Sequence, residues 1–307
     1  MSELPELFAG FATHHIDIDG LSFHARVGGN GPPLLCLHGY PQTHACWHRI
    51  APTLAETNTV VAMDLRGYGQ SAAPDSDGDH VTYAKRTMAA DGVALMRALG
   101  HERFTVMGHD RGGRVAYRMA LDTPEAVVRL ILVDIIATID NWERMRAGSA
   151  IKSYHWPFLA QPEPLPETLI GSHPTYYLDH TLASWTKDRT LAAFDAGALA
   201  HYRAAINEPA RIHAMCEDYR AGATYDWQAD RESRDAGTRI TAPVHVLWAA
   251  SYLTPTKGQF DPIEVWRAWA DTVSGTEIDS GHFLAEENPA ATVAAIGDFL
   301  AAHPVTT

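Results

Sequence analysis

Val106-Met107-Gly108-His109-Asp110-Arg111-Gly112-Gly113 decides the fold. An apolar strand runs into a sharp turn flanked by glycines and a helix starts at once beyond it, so the side chain at the apex, Asp110, is lifted into open space. Serine is the commoner residue at such an apex, and aspartate changes the chemistry. A carboxylate with an ordinary pKa of about 3.9 is already ionised at neutral pH and attacks carbon without a base to activate it. The expected reaction passes through an ester on Asp110, formed by displacing a leaving group or opening a strained ring.

Outward from the elbow, short apolar runs recur at Pro33 to Leu37, Thr59 to Met63, Phe104 to Met107, Val128 to Val133, Val244 to Leu247 and Thr276 to Ile278, with helical patterns between them. That alternation predicts an α/β fold, a mostly parallel sheet flanked by helices. His15 to Asp19 and Leu21 to Val27 alternate around Gly20 and predict an opening antiparallel hairpin. The pattern breaks between Ile136 and Asp235, which is rich in tryptophan, tyrosine and histidine, carries Pro157, Pro162, Pro164, Pro166 and Pro174, and has helical periodicity. A helical cap at 136–235, inserted into a core formed by 1–135 and 236–307, would lie over Asp110.

With 307 residues, 46% of them hydrophobic and 20% charged, the chain can bury one large core. A formal charge of -13 and a pI near 5.6 argue against nucleic acid or an anionic membrane as partner, and an anionic substrate would need a local positive site. Cys36, Cys46 and Cys216 are too few and scattered for a disulfide framework or zinc cluster, which fits a reducing compartment. The stretch Met1 to Glu6 lacks signal-peptide features, and no apolar run reaches the roughly 18 residues of a membrane span, so a cytoplasmic protein is expected. His44 and His48 lack a third ligand and read as structural, and the Gly28 loop reads as a turn with no helix behind it to cradle phosphate.

Hydrolysis of the ester calls for a base. Asp279-Ser280-Gly281-His282-Phe283 follows the last predicted strand, where an imidazole can reach over the sheet edge, and His282 takes that role. Two positions could supply the acid that orients it, but Trp248 to Leu253 offers no carboxylate before Asp261, which leaves Asp134. The backbone N–H groups of Arg111 and Tyr40 are the expected oxyanion donors. Arg111 and Arg114 fall in the first turn of the helix, where each cation opposes the macrodipole by roughly 0.3–1 kcal/mol. Spaced i, i+3, they share a face and suit a grip on a substrate carboxylate, whereas Arg118 reads as structural.

Through nearly its whole length the chain resembles the fluoroacetate dehalogenase group of the α/β-hydrolases. The likeness is carried by His38-Gly39-Tyr40-Pro41-Gln42-Thr43-His44, by Gly108 to Arg114, by Asp134, by Tyr154-His155-Trp156-Pro157 and the residues through Pro162, by Cys216 to Gly222, and by Gly281-His282-Phe283-Leu284. The resemblance implies an α/β-hydrolase fold and hydrolysis of fluoroacetate, or of a close 2-haloacid, to glycolate or another 2-hydroxy acid and halide. It also implies a halide site at His155, Trp156 and Tyr219, no metal or organic cofactor, and a homodimer. Tyr40, Gly113 and the segment Ser251 to Phe260 depart from the group's pattern and bear on substrate preference. The rival is an epoxide hydrolase, which shares the elbow aspartate and would use Tyr154 and Tyr219 to protonate the opened ring but has no use for Arg111 and Arg114. A non-catalytic receptor for a small acid is a third reading, against which the intact Asp110, Asp134 and His282 argue.

Overall fold

The computed structural model describes residues 4–76, 78–253 and 260–305. Its strands are β1 (Ala12–Ile18), β2 (Leu21–Gly28), β3 (Pro33–Leu37), β4 (Thr59–Met63), β5 (Phe104–His109), β6 (Val127–Val133), β7 (Val244–Ala249) and β8 (Val273–Ile278). They form one sheet in the order β1-β2-β4-β3-β5-β6-β7-β8. The opening hairpin pairs Ile18 with Leu21 across Asp19 and Gly20, both at positive φ, as a tight two-residue turn requires. β2 meets β4 antiparallel, and from β4 to β8 every pairing is parallel. All six residues of β5 are buried, as expected for a central strand covered on both faces. Cys36 lies buried in β3, and none of the three cysteines is bonded to another.

This topology places one end of the sheet at the centre of interest. In a parallel α/β sheet, ligands sit outside the carboxyl ends of the strands. Asp110 follows β5, Asp134 follows β6 and His282 lies beyond β8, so all three emerge at that end. Between β6 and β7 the described residues hold eight helices, from Thr138–Arg144 to Tyr225–Asp235, and no strand. The longest of them, Pro209–Ala223, has ten of its fifteen residues buried, including Glu217, Asp218 and Arg220. Charges buried in a helix need partners, and Asp218 finds them outside the segment in Tyr68, Lys85 and Arg111, whereas Arg220 pairs with Glu167 and Glu217 inside it. No helix among the described residues is long and apolar enough to cross a membrane.

Candidate active site

The elbow is a close-packed device. Asp110 has φ 46°, a left-handed conformation that costs a non-glycine residue on the order of 1–3 kcal/mol and aims its side chain away from the helix it opens, Asp110–Asp122. Two glycines make the approach possible. A Cβ on Gly112 would overlap the carbonyls of Leu37 and His38, and one on Gly39 would overlap the Asp110 side chain. The loop after β3 therefore lies against the elbow, and Tyr40 N donates to Asp110 Oδ1 at 2.9 Å. The helix amino terminus adds a favourable field for the anion.

His282 stands between two carboxylates. Its Nδ1 lies 2.6 Å from Asp134 Oδ2, and its Nε2 lies 3.7 Å from Asp110 Oδ2. The ring is held in place from behind: His282 N donates to Trp185 O at 2.9 Å, and His109 Nε2 donates to His282 O at 2.8 Å. Asp134, also at positive φ (54°), accepts from Ala249 N at 2.9 Å, which fixes its second oxygen on the imidazole. Burial opposes the imidazolium, but the hydrogen bonds and charges of Asp110 and Asp134 prevail and push His282 up to about 9. Burial likewise opposes ionisation of Asp110, and His282 overcomes it, holding the carboxyl below the usual carboxylate range. Burial raises the Asp134 carboxyl above its ordinary range, opposed by its hydrogen bond to His282, so at neutral pH the imidazolium faces a firmly ionised Asp110 on one side and the hydrogen-bonded Asp134 on the other.

The two arginines, one helical turn apart and both buried, are used differently. Arg111 Nε donates to Asp218 Oδ1 at 3.0 Å and Nη2 donates to both Asp218 O and Oδ1, while its guanidinium stacks 4.2 Å from the Tyr219 ring. Asp218 is shared with Lys85 Nζ and accepts from Tyr68 OH at 2.8 Å. Arg114 has no carboxylate within ion-pair distance among the described residues; Nη1 donates to Ile136 O at 2.9 Å and the group lies 4.4 Å over the Trp156 ring. The expected carboxylate grip is therefore asymmetric, with Arg111 largely committed and Arg114 free of any counter-ion.

Helices of the β6–β7 segment form the roof. His155 opens the short helix His155–Leu159, Trp156 follows it, and Tyr219 projects from Pro209–Ala223. The rings meet at centroid separations of 5.7 Å for His155 and Tyr219 and 5.8 Å for Trp156 and Tyr219, so the three expected together are together. Burial drives His155 down to about 3, which keeps it neutral. Buried polar atoms are nearly always satisfied. Here the exceptions gather: of the eleven unpartnered buried side-chain atoms found among the described residues, five are Arg111 Nη1, Arg114 Nε, His155 Nδ1, Tyr219 OH and His282 Nε2. Three of the residues that carry them, Arg114, His155 and His282, stand on the wall of a cavity of about 920 Å³ together with Asp110, Trp156 and Tyr252, and Arg111 and Tyr219 pack against Trp156 of that wall. A carboxylate nucleophile, an oriented imidazole and a ring of donors can together displace an anionic leaving group and hydrolyse the resulting ester.

Comparison with known proteins agrees with this geometry. A family model described as the alpha/beta hydrolase fold matches residues 32–289. The chain belongs to that family. It is 40% identical to a fluoroacetate dehalogenase from Burkholderia sp over 96% of this chain and 95% of the relative. It is also 32% identical to a soluble epoxide hydrolase from Corynebacterium sp. (strain C12), over 90% of this chain and 93% of the relative. Among solved structures, a variant of a Pseudomonas aeruginosa protein provisionally assigned as an epoxide hydrolase, with MFA bound, is 45% identical, covers 97% of this chain and 98% of its own, and superposes with a TM-score of 0.91. Relatives with two chemistries share one hydrolase framework.

Some members of the site escaped the sequence reading. Asp218, within Cys216 to Gly222, carries no local sign that it pairs with Arg111, although an aspartate in a helix buried almost throughout is itself a sign of a paired charge. Tyr252 stacks on His282 with centroids 4.4 Å apart, and Trp185 does so edge-on at 5.4 Å. Of the segment Ser251 to Phe260 that did not fit the pattern, Ser251, Tyr252, Leu253 and Phe260 line the cavity, and residues 254–259 lie outside the described residues. Tyr154 is exposed, with its ring 6.2 Å from His155. Away from the site, ligand atoms of His24, His44 and Asp64 come within 4.8 Å of one another. Asp64 already accepts from His44 N (2.7 Å), His44 Nδ1 (2.9 Å) and Gln70 N (2.8 Å), which makes it an anchor for the loop after β3. His48 hydrogen-bonds locally through Nδ1 to Ala45 O at 2.9 Å.

Proposed function

We propose that this hydrolase is a haloacetate dehalogenase, converting fluoroacetate or a close 2-haloacid and water to the 2-hydroxy acid, halide and a proton. In this reading residues 136–235 cap the site. The substrate carboxylate binds Arg114 and the free Nη1 of Arg111, which turns the α-carbon toward Asp110. An Asp110 oxygen bonds that carbon as the carbon–halogen bond breaks, and the halide leaves toward His155, Trp156 and Tyr219. Fixing the attack geometry is worth about 7–11 kcal/mol, and each hydrogen bond to the departing anion about 1.5–3 kcal/mol.

Esterification then changes the state of the base. Asp110 loses its charge and with it one of the two carboxylates that hold the proton on His282. The imidazole releases that proton to solvent as the proton of the overall products, accepts one from water, and the hydroxide adds to the Asp110 carbonyl carbon. Tyr40 N and Arg111 N stabilise the oxyanion, each donor worth on the order of 10²–10³ in rate. Collapse regenerates the carboxylate and frees the hydroxy acid.

The observation that carries this reading is Arg114. A buried guanidinium without a counter-ion is expensive, and one on the wall of the same cavity as Asp110 is explained by a substrate that brings the missing negative charge. The likeness to the Burkholderia enzyme supports it. An epoxide hydrolase is the second reading, favoured by the unpartnered Tyr219 hydroxyl, a group able to protonate an opened ring, and by the likeness to the Corynebacterium enzyme. Halide release from fluoro-, chloro- and bromoacetate, run beside diol formation from styrene oxide, separates the two. Halide release that disappears in Asp110→Asn is expected; diol without halide would establish the rival.

A further inference from the structure

Acidic residues outnumber lysine and arginine 37 to 24 in the whole chain. On the cavity wall the balance is reversed: Arg114, Arg144, Arg146, Lys152, Lys187 and Arg189 face two carboxylates, Asp110 and Asp134. Arg114 is buried at the depth of the site, and the other five are exposed, which makes them the mouth. They come from two stretches of the helical segment, 144–152 and the turn after the helix Pro174–Trp185.

A basic surface patch in most proteins is laced with acids. This one is nearly bare. Lys187 pairs with Asp279 at 2.6 Å, but Arg144, Arg146, Lys152 and Arg189 have no carboxylate within 4 Å among the described residues. Arg146 and Arg189 donate only to backbone carbonyls, those of Glu143 and Met145 for the first and of Ser184 for the second. Most exposed arginines elsewhere on the surface are paired, among them Arg86 with Asp122, Arg234 with Glu143, Arg239 with Asp271 and Arg267 with Glu264; Arg49 and Arg103 have no ion pair among the described residues and stand apart from one another in the chain. Four like charges at one opening without an ion pair repel one another, and the acid that feels Arg144, Asp140, is half-committed to Trp269 Nε1 at 2.7 Å.

We propose that Arg144, Arg146, Lys152 and Arg189 form a cationic mouth that gathers small carboxylate anions against the repulsion of an acidic protein and delivers them to Arg114. The proposal deepens the function above, on which it rests, by naming how an anionic substrate is admitted. The physical basis is local. With a Debye length of about 8–10 Å at physiological salt, the distant acids are largely screened, whereas an anion entering the cavity lies within reach of all four cations. Clefts lined by one sign of charge raise association rates by 10–10³.

The test is a stopped-flow measurement of acetate binding, read by the fluorescence of Trp156 and Trp185 on the cavity wall, in the parent and in the combined variant Arg144→Gln, Lys152→Gln, Arg189→Gln. These exposed positions lack ion pairs, so the variant should keep its fold, which thermal melting checks. At low ionic strength the association rate constant for acetate should fall about tenfold. Dissociation should change little, and the difference should vanish near 1 M salt, where the Debye length is about 3 Å. Acetamide, neutral and of the same shape, should bind both proteins at one rate. Equal acetate rate constants at low salt, an equal fall for acetamide, or no acetate binding to the parent would each overturn the proposal. Acetate binding that depends on the mouth in a parent that releases no halide would leave the mouth standing and remove the dehalogenase reading instead.

Discussion

The floor and the roof of the cavity are built on opposite principles. On the floor, at the ends of β5, β6 and β8, Asp134 holds one nitrogen of His282, Asp110 stands 3.7 Å from the other, and backbone N–H groups of Tyr40 and Ala249 take up one oxygen of each carboxylate. In the roof, His155 Nδ1 and Tyr219 OH are buried with no partner, and between the two layers Arg114 carries a charge with no counter-ion. A floor whose charges are matched among themselves can serve any reaction that passes through an ester on Asp110. What reaction that is must be decided by the groups left unsatisfied above it. Relatives named for dehalogenation and for epoxide hydrolysis at comparable coverage fit this division.

The division breaks most visibly at His282. His282→Gln should permit the first step and block the second, so that substrate adds to Asp110 and stays there. Steady-state halide release should fall by about 10²–10⁴, with one equivalent released in a burst and the peptide containing Asp110 heavier by the carboxymethyl group in mass spectrometry. A variant that turns over normally would show that the floor is not the hydrolytic base.

The two arginines sharpen the comparison, because each joins floor to roof in its own way. Arg111→Met leaves the buried Asp218 with Lys85 as its one close cation and Tyr68 as its remaining hydrogen-bond donor, and should destabilise the protein by about 3 kcal/mol. Arg114→Met removes a buried charge that no carboxylate compensates, so its stability should stay within about 1 kcal/mol of the parent. Its kcat/KM for chloroacetate should nevertheless fall by about 30-fold or more, as when one partner of a buried charge pair is truncated. Chemical denaturation with parallel kinetics checks both; equal stability losses, or an intact KM in Arg114→Met, would contradict the assignment of Arg114 to the substrate.

The smallest effect is on stability against pH. His282 is raised in the folded protein from 6.5 to about 9, so its contribution is complete below pH 6.5 and is lost as pH rises through 9. Glu286, hydrogen-bonded to Tyr202 and Gln42 behind the site, is pushed by burial from 4.5 up to about 8 and acts in the same direction. The melting temperature should therefore fall between about pH 6.5 and 9. Asp110→Asn should weaken the His282 part of that slope and Glu286→Gln the other part. A melting temperature flat across this range would show that the imidazolium is not held between the two carboxylates.

Much of the floor was legible in the sequence. Glycines at 108, 112 and 113 around an aspartate leave few conformations, and the empty acid position after β7 leaves Asp134 for His282; both are local constraints. The strands were legible for the same reason, with β3 and β4 at the expected bounds and β5 to β8 longer by one to three residues at one end or the other. The roof was less so. His155, Trp156 and Tyr219 came from resemblance, since an aromatic pair in a helix gives no sign of what it faces. The Arg111–Asp218 pair spans 107 residues, and the bare cations of the mouth are exceptional only once their surroundings are known. Sequence periodicity locates elements, but the pairing of charges between elements is a property of packing.

The claim that Asp110 itself attacks carbon has a direct test. One turnover of chloroacetate is run in heavy-oxygen water with enzyme in excess, and the first glycolate is analysed by mass spectrometry. A carboxylate nucleophile predicts ordinary oxygen in the new hydroxyl, drawn from Asp110, with label left in the protein. Heavy oxygen in that first hydroxyl would mean that water strikes the α-carbon directly and that no ester forms.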